Sequence, residues 1–148
     1  MYDCFSSNVG DFYKQLSYEE FCSNLFNHYE FDEKGVFLAV CNNKVIGFIC
    51  SFVRHVEKDN EEKPGYVSTF IVDKNYRHQG IGKTLLSKAE TYIKSCGKNK
   101  ICFGYTCTLN WPWYIPNTNK HDHAGAPGAC VNSDLYFFLL NNGYNIIC

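Results

Sequence analysis

No stretch of this 148-residue chain approaches the roughly 18–20 consecutive apolar residues that a membrane-crossing helix needs. Its opening, MYDCFSSNVGDFYKQ, has neither a basic segment nor an apolar core, so it does not read as a secretory signal. Neither charge is in excess: 14 Lys and Arg stand against 15 Asp and Glu, and the basic residues are scattered apart from a mild cluster over Lys94–Lys100. That balance argues against a nucleic-acid binder, whose domain carries a basic patch or surplus. Repeats, low-complexity tracts and interdomain linkers are missing as well. The expectation is one domain, residues 1–148, around a single core, in a cytoplasmic protein that engages neither nucleic acid nor a membrane.

The nine cysteines include no CxxC pair, and their number is odd. A zinc site or a disulfide framework would show close, regular pairs, so no metal is expected and the thiols read as reduced. Cys41, Cys50, Cys96 and Cys102 fall at inward-looking positions, where free cysteine behaves as a small hydrophobe. Proline is scarce too: there are four, and three lie between Thr108 and Val131. A loop of that length is uncommon without a function.

What is present is a packed globule, with 45% hydrophobic and 17% aromatic residues. From Ser17 the pattern SYEEFCSNLFNHYEF starts with a capping Ser and has Glu20 at the reciprocal position, which predicts a short amphipathic helix burying Phe21, Leu25 and Phe26, followed by Tyr29. Residues 1–17 show little periodicity. GVFLAVCNNKVIGFICSFV reads as two strands around a tight Asn42-Asn43 turn. GYVSTFIVD is a third strand. After RHQG comes a helix with Ile81, Leu85, Leu86, Ala89, Tyr92, Ile93 and Cys96 on one side, stopped by Gly97. KICFGYTC is a fourth strand, and NSDLYFFLLNNGYNIIC a short helix, a stop and a final strand. The order predicts an α/β (α+β) domain with a mixed sheet.

The stretch RHQGIGKTLL, Arg77–Leu86, looks like a backbone cradle for phosphate at the start of a helix. It is not a P-loop: Gly82-Lys83-Thr84 supplies the second half of that motif, but Arg77 stands where the first glycine belongs. It is not a dinucleotide fingerprint either, because Leu85 replaces the third glycine and KICFGYT ends without an acidic residue. Arg77-x-x-Gly80-x-Gly82 instead fits the pattern [QR]-x-x-G-x-[GA] between a strand and an amphipathic helix. Loop and first-turn amides converge there, the helix dipole adds positive charge, and two glycines let the backbone touch a pyrophosphate. Lys83 adds a charge at the rim.

With that loop, FIVDKNYRHQGIGKTLL resembles the signature of the GNAT superfamily of N-acetyltransferases, with Lys74 where the family often has Pro. A second family motif aligns with Asn132, Leu135, Phe138, Leu139, Gly143 and Tyr144, and the hairpin KVIGFI, with Gly47, is similar to the strand pair preceding the signature. SYEEFCSNLFNHYEFDEKGVF and APGACVNSDLYFFLLNNGY are similar to the N-terminal half of tandem two-domain members. The resemblance implies a mostly antiparallel central sheet with a splayed strand pair and helices on both faces, and acetyl-CoA as cofactor. It implies that the backbone of Phe70, Ile71 and Val72 pairs with the pantetheine. Amides over His78, Gln79, Gly80, Ile81, Gly82 and Lys83 would hold the pyrophosphate, with Arg77 and Asn132 joining the cofactor set. The acetyl group would pass directly to a primary amine of a small molecule or protein.

The same resemblance leaves catalysis open. Ser68 stands where many members place a Glu, and Leu139 stands where the thiolate-protonating Tyr is usual. Tyr105, at the end of the fourth strand, and Tyr136, on the last helix, are the substitutes to consider. His121 and His123 in the long loop could act as bases or be plain solvated residues, and Cys107 and Cys130 have no local partner that would make them nucleophiles. Trp111, Trp113 and Tyr114 would either wall an amine site or pin the long loop to the core. The missing first strand and the end just inside the last one suggest a fragment, or a sheet completed by a second domain or a partner copy. Two functions therefore stand: an N-acetyltransferase, and a non-catalytic acyl-CoA-binding or assembly domain of the same fold.

Overall fold

The computed structural model describes residues 1–9, 14–54, 63–103, 111–114, 122–123, 129 and 133–146, with the backbone alone at 113, 122 and 123. The chain opens with helix α1 (Tyr2–Asn8), where the sequence suggested no element. Helix α2 (Tyr18–Phe26) follows, and its start is built as the sequence predicts. The Ser17 hydroxyl accepts the Glu20 N–H at 3.2 Å, and the Glu20 carboxylate accepts the Ser17 N–H at 2.8 Å. Phe21 and Leu25 are buried, but Phe26 and Tyr29 are exposed, since the helix ends at Phe26 and its apolar face is narrower than the spacing suggested.

Strands β1 (Val36–Cys41) and β2 (Lys44–Phe52) form the expected hairpin, with Asn42 and Asn43 both at positive φ, 49° and 60°. Those angles give a turn whose twist matches that of the flanking strands. Strand β3 (Gly65–Val72), helix α3 (Ile81–Ser95) and strand β4 (Ile101–Phe103) come next. The sheet order is β1-β2-β3-β4, antiparallel except for the parallel β3/β4 pair. β2 is buried from Ile46 to Phe52, as befits a central strand. A two-residue pair, β5 (Trp113–Tyr114) with β6 (Asp122–His123), lies in what the sequence presented as loop. Helix α4 (Asp134–Asn141) then stops at Gly143, φ +87°. Residues 144–146 form no strand, contrary to expectation; Tyr144 instead turns its hydroxyl onto Glu90 of α3, 2.9 Å away.

Side-chain alternation sends the apolar residues of the sheet to two cores. On one face Phe48, Cys50 and Tyr66 pack with Cys4 and Phe5 of α1, Phe21 and Leu25 of α2, and Trp111. On the other, Ile49 and Val67 meet Leu85, Leu86, Ala89 and Ile93 of α3, with Phe70, Phe138 and Tyr144 at the margin. Burying each large side chain contributes about 1.5–3 kcal/mol, so neither helical layer holds without the sheet between them. Of the cysteines expected inside, Cys50 is buried and Cys41 and Cys102 are half-buried. Cys96 is exposed, because it falls at the cap of α3, beyond the last turn that faces the sheet.

Candidate cofactor and active site

α3, like α1, starts without a side-chain cap, and the elements on either side of it do not share this trait. Ser17, Asp32, Asp73 and Ser133 each offer a side-chain oxygen to an N–H at a helix or 3-10 turn start. α3 begins at Gly80 with no side-chain cap, in the left-handed conformation at φ +81°. A Cβ on Gly80 would meet nothing within 4 Å, so the glycine is there for its backbone angle and not for space. The first amides of any helix lack intrahelical acceptors, and at the start of α3 no side chain caps them, an arrangement that can receive an anion. The preceding His78 is also left-handed, φ 60°, which tightens the turn that leads into them. His78, Gln79, Gly80 and Lys83 are exposed.

Gly82 has a different reason. A Cβ there would sit 3.5 Å from the rings of Phe138 and Phe70, an ordinary contact. The site has room for a methyl group and little more, in keeping with a pattern that accepts Gly or Ala. Phe70 and Phe138 themselves lie 5.5 Å apart between ring centres, so α4 covers both the first turn of α3 and the outer half of β3.

β3 opens next to this cradle. Cys50 of β2 faces Thr69 and Ser51 faces Val67, so Ser68 is the extra residue of a bulge. The bulge resets the alternation: Val67 points to the α3 core and Thr69 to Trp111 on the other face. Among the described residues, β4 pairs with Gly65, Tyr66 and Val67, the three residues before the bulge. Phe70, Ile71 and Val72 pair with Ile49, Phe48 and Gly47 of β2. Among the described residues no strand occupies the other edge of Ser68–Val72.

Three of the expected site residues take up contacts within the protein. The Arg77 Nε–H donates to the Val72 carbonyl at 3.0 Å, and its Nη1 donates to the Asp134 carboxylate at 2.9 Å. Trp111 is buried, stacked on Phe21 at 5.4 Å, and its indole N–H donates to the Thr69 hydroxyl at 2.6 Å. Of the two roles weighed for it, pinning the chain to the core is the one its surroundings match. Tyr114 carries the Lys14 ammonium over its ring, 5.3 Å from the centre.

Tyr136 is half-buried on α4, and its N–H is accepted by the capping Ser133 hydroxyl. Ser68, at the bulge, has its hydroxyl 3.4 Å from the Cys50 carbonyl and 3.5 Å from the Thr69 hydroxyl. Leu139 is buried core. Burial pushes the Cys50 thiol up to about 12 against a hydrogen bond from Thr69 that works the other way, so that thiol is neutral. Tyr105, Cys107, His121, Cys130 and Asn132 lie outside the described residues, as do the side chains of Trp113 and His123.

The sequence reading missed Asp134 and Thr69. A hydroxyl inside an apolar strand and an acid one residue after a helix cap are the signals each leaves. Their partners, Trp111 and Arg77, are too distant in sequence to be paired from it.

Residues 1–110 match the profile of the acetyltransferase (GNAT) family. The chain belongs to that family. Over 70 residues it is 33% identical to an uncharacterized N-acetyltransferase of Methanocaldococcus jannaschii, a match covering 45% of this chain and 30% of that protein. The chain thus spans less than a third of that curated relative. Among solved structures, an aminoglycoside N-acetyltransferase in complex with CoA is 16% identical with a TM-score of 0.50, covering 75% of this chain and 67% of the other. An integron cassette protein from the mobile metagenome of V. cholerae is 19% identical with a TM-score of 0.53, covering 90% and 69%. At these identities the likeness is one of fold, and it agrees with the mixed α/β sheet between helices. No described helix of this GNAT chain is long and apolar enough to cross a membrane.

Proposed function

We propose that this GNAT chain is an acetyl-CoA-dependent N-acetyltransferase that acetylates a primary amine of a small molecule or a protein. One observation carries the reading: the uncapped, left-handed start of α3 at Gly80 lies beside the outer half of β3, whose second edge no described strand occupies. The two features suit the two halves of coenzyme A. The amides of Ile81, Gly82 and Lys83, with the loop from His78, suit a pyrophosphate, and the backbone edge of Phe70, Ile71 and Val72 that no described strand occupies suits the pantetheine amides. Bound acetyl-CoA supplies the activated acetyl thioester. The chain's part is to fix it against the acceptor amine, and such positioning can remove several kcal/mol of barrier. A protic side chain near the sulfur would complete the chemistry, and Tyr136 and Tyr105 are the candidates.

Calorimetric titration with CoA tests the cradle. Saturable binding is expected, and Gly82→Glu should abolish it, because the new carboxylate has only a methyl-sized space on the protein side and must face the phosphates. Unchanged affinity in that variant would remove the loop from the cofactor site. Free-thiol release from acetyl-CoA over a panel of amines then tests transfer, with Tyr136→Phe and Tyr105→Phe compared for loss of rate.

The second reading, an acyl-CoA-binding or assembly domain without catalysis, draws on Ser68 and Leu139. Leu139 is buried and can move no proton, and the Ser68 hydroxyl lies against the Cys50 carbonyl at the bulge. CoA binding without thiol release for any amine would favour it.

A further inference from the structure

Arg77 reaches out of the phosphate loop in two directions. Its Nε–H holds the carbonyl of Val72, the last residue of β3, and its Nη1 holds the carboxylate of Asp134, the first residue of α4. The guanidinium thus joins the end of one strand to the start of a helix that begins 57 positions beyond Arg77. That helix is short, and it lays Phe138 against Gly82 and Phe70, over the cradle itself. Asp134 directly follows the capping Ser133, so whatever fixes Asp134 fixes the N-terminal turn of α4, with Tyr136 on it.

We propose that Asp134 is a positioning residue for the cofactor site: through Arg77 it holds α4 against the amides of the loop. Arg77 is then a bracket within the protein and not a phosphate ligand. The assignment rests on the acetyl-CoA reading above. A guanidinium already facing a carboxylate adds little net charge toward an arriving phosphate, so the amides and Lys83 do the attracting. The side chains of Arg77 and Asp134 are 37% and 75% exposed, which makes the bracket weak, sensitive to salt and tolerant of substitution.

The two roles for Arg77 predict opposite signs. A phosphate-gripping Arg77 would be freed by Asp134→Asn, and CoA would bind more tightly. A bracket would be broken by the same change, and CoA should bind about three- to fivefold more weakly, the range an exposed ion pair can transmit. Arg77→Gln should cost a similar factor, and the double variant should be no worse than the weaker single one, because both act on one contact. Asp134→Glu, which keeps the charge, should restore most of the affinity. The measurement is CoA titration by calorimetry on the full 148-residue chain and its variants, with thermal unfolding of each to establish that it is folded. Unchanged or tighter binding by Asp134→Asn overturns the proposal, as do additive losses in the double variant. If the unaltered chain fails to bind CoA, the acetyl-CoA reading falls and this assignment with it. If the unaltered chain binds and Asp134→Asn binds equally well, this assignment falls alone.

Discussion

The indole N–H of Trp111 and the hydroxyl of Thr69 are both buried, 2.6 Å apart, and the ring packs against both Phe5 and Phe21. Replacing Trp111 by Phe would keep most of the aromatic contact and take away the donor. Thr69 would then lose the indole donor and keep only its contacts to the Cys50 thiol and the Ser68 hydroxyl, which costs about 1 kcal/mol. Urea unfolding of Trp111→Phe should show a loss of that size, and a change below about 0.5 kcal/mol would mean that the hydrogen bond contributes nothing net. Thr69 sits next to the Ser68 bulge, so the same variant tests whether Trp111 helps hold β3 in its altered register. The identity of a tryptophan in a proline-rich stretch does not reveal this. Its value as a wall or as a pin depends on which face of β3 it meets, and a single bulged residue decides that.

At the scale of elements, local rules were legible and distant ones were not. α2, the Asn42-Asn43 hairpin and α3 follow from contacts within a few residues: a Ser and Glu that cap each other, two asparagines that tolerate positive φ, and apolar side chains one turn apart. Ser17→Ala should therefore cost about 1 kcal/mol, because it removes one half of a reciprocal pair at an exposed helix start. Chemical denaturation measures it, and Glu20→Gln, which can still accept the Ser17 N–H, should cost less. α1 went unseen because its seven residues have no side-chain cap and are held by Phe21 and Trp111 from elsewhere in the chain. The β5/β6 pair also depends on neighbours that local spacing does not reveal. The loop before α3 shows both cases: its glycine spacing is local and was read from the sequence, whereas the Arg77–Asp134 contact that ties it to α4 is not.

At the scale of the molecule, the sheet divides two cores, and each holds weak acids that folding keeps protonated. On the α1/α2 face, desolvation pushes the Cys50 thiol up to about 12. On the α3 face, burial and a hydrogen bond to Asp32 push Tyr92 upward, and burial with Glu90 does the same for Tyr144. In the unfolded chain these groups lose their protons near their ordinary values, 9.0 for the thiol and 10.0 for the phenols. Above those values the unfolded state binds fewer protons than the folded state, so stability falls as pH rises; below them the full contribution is present. For Cys50 the slope approaches about 1.4 kcal/mol per pH unit between its unfolded and folded values. Urea unfolding followed from pH 7 to 10.5 should show a plateau to about pH 8.5 and a decline beyond it, the onset set by the ordinary thiol range. Cys50→Ala should be less stable on the plateau, since it leaves a small void in a packed core, yet decline less steeply above pH 9. An equal slope in that variant would remove Cys50 as the source. Because the acids lie on both faces of one sheet, the decline should appear as a shift of a single cooperative transition, with neither helical layer melting ahead of the other.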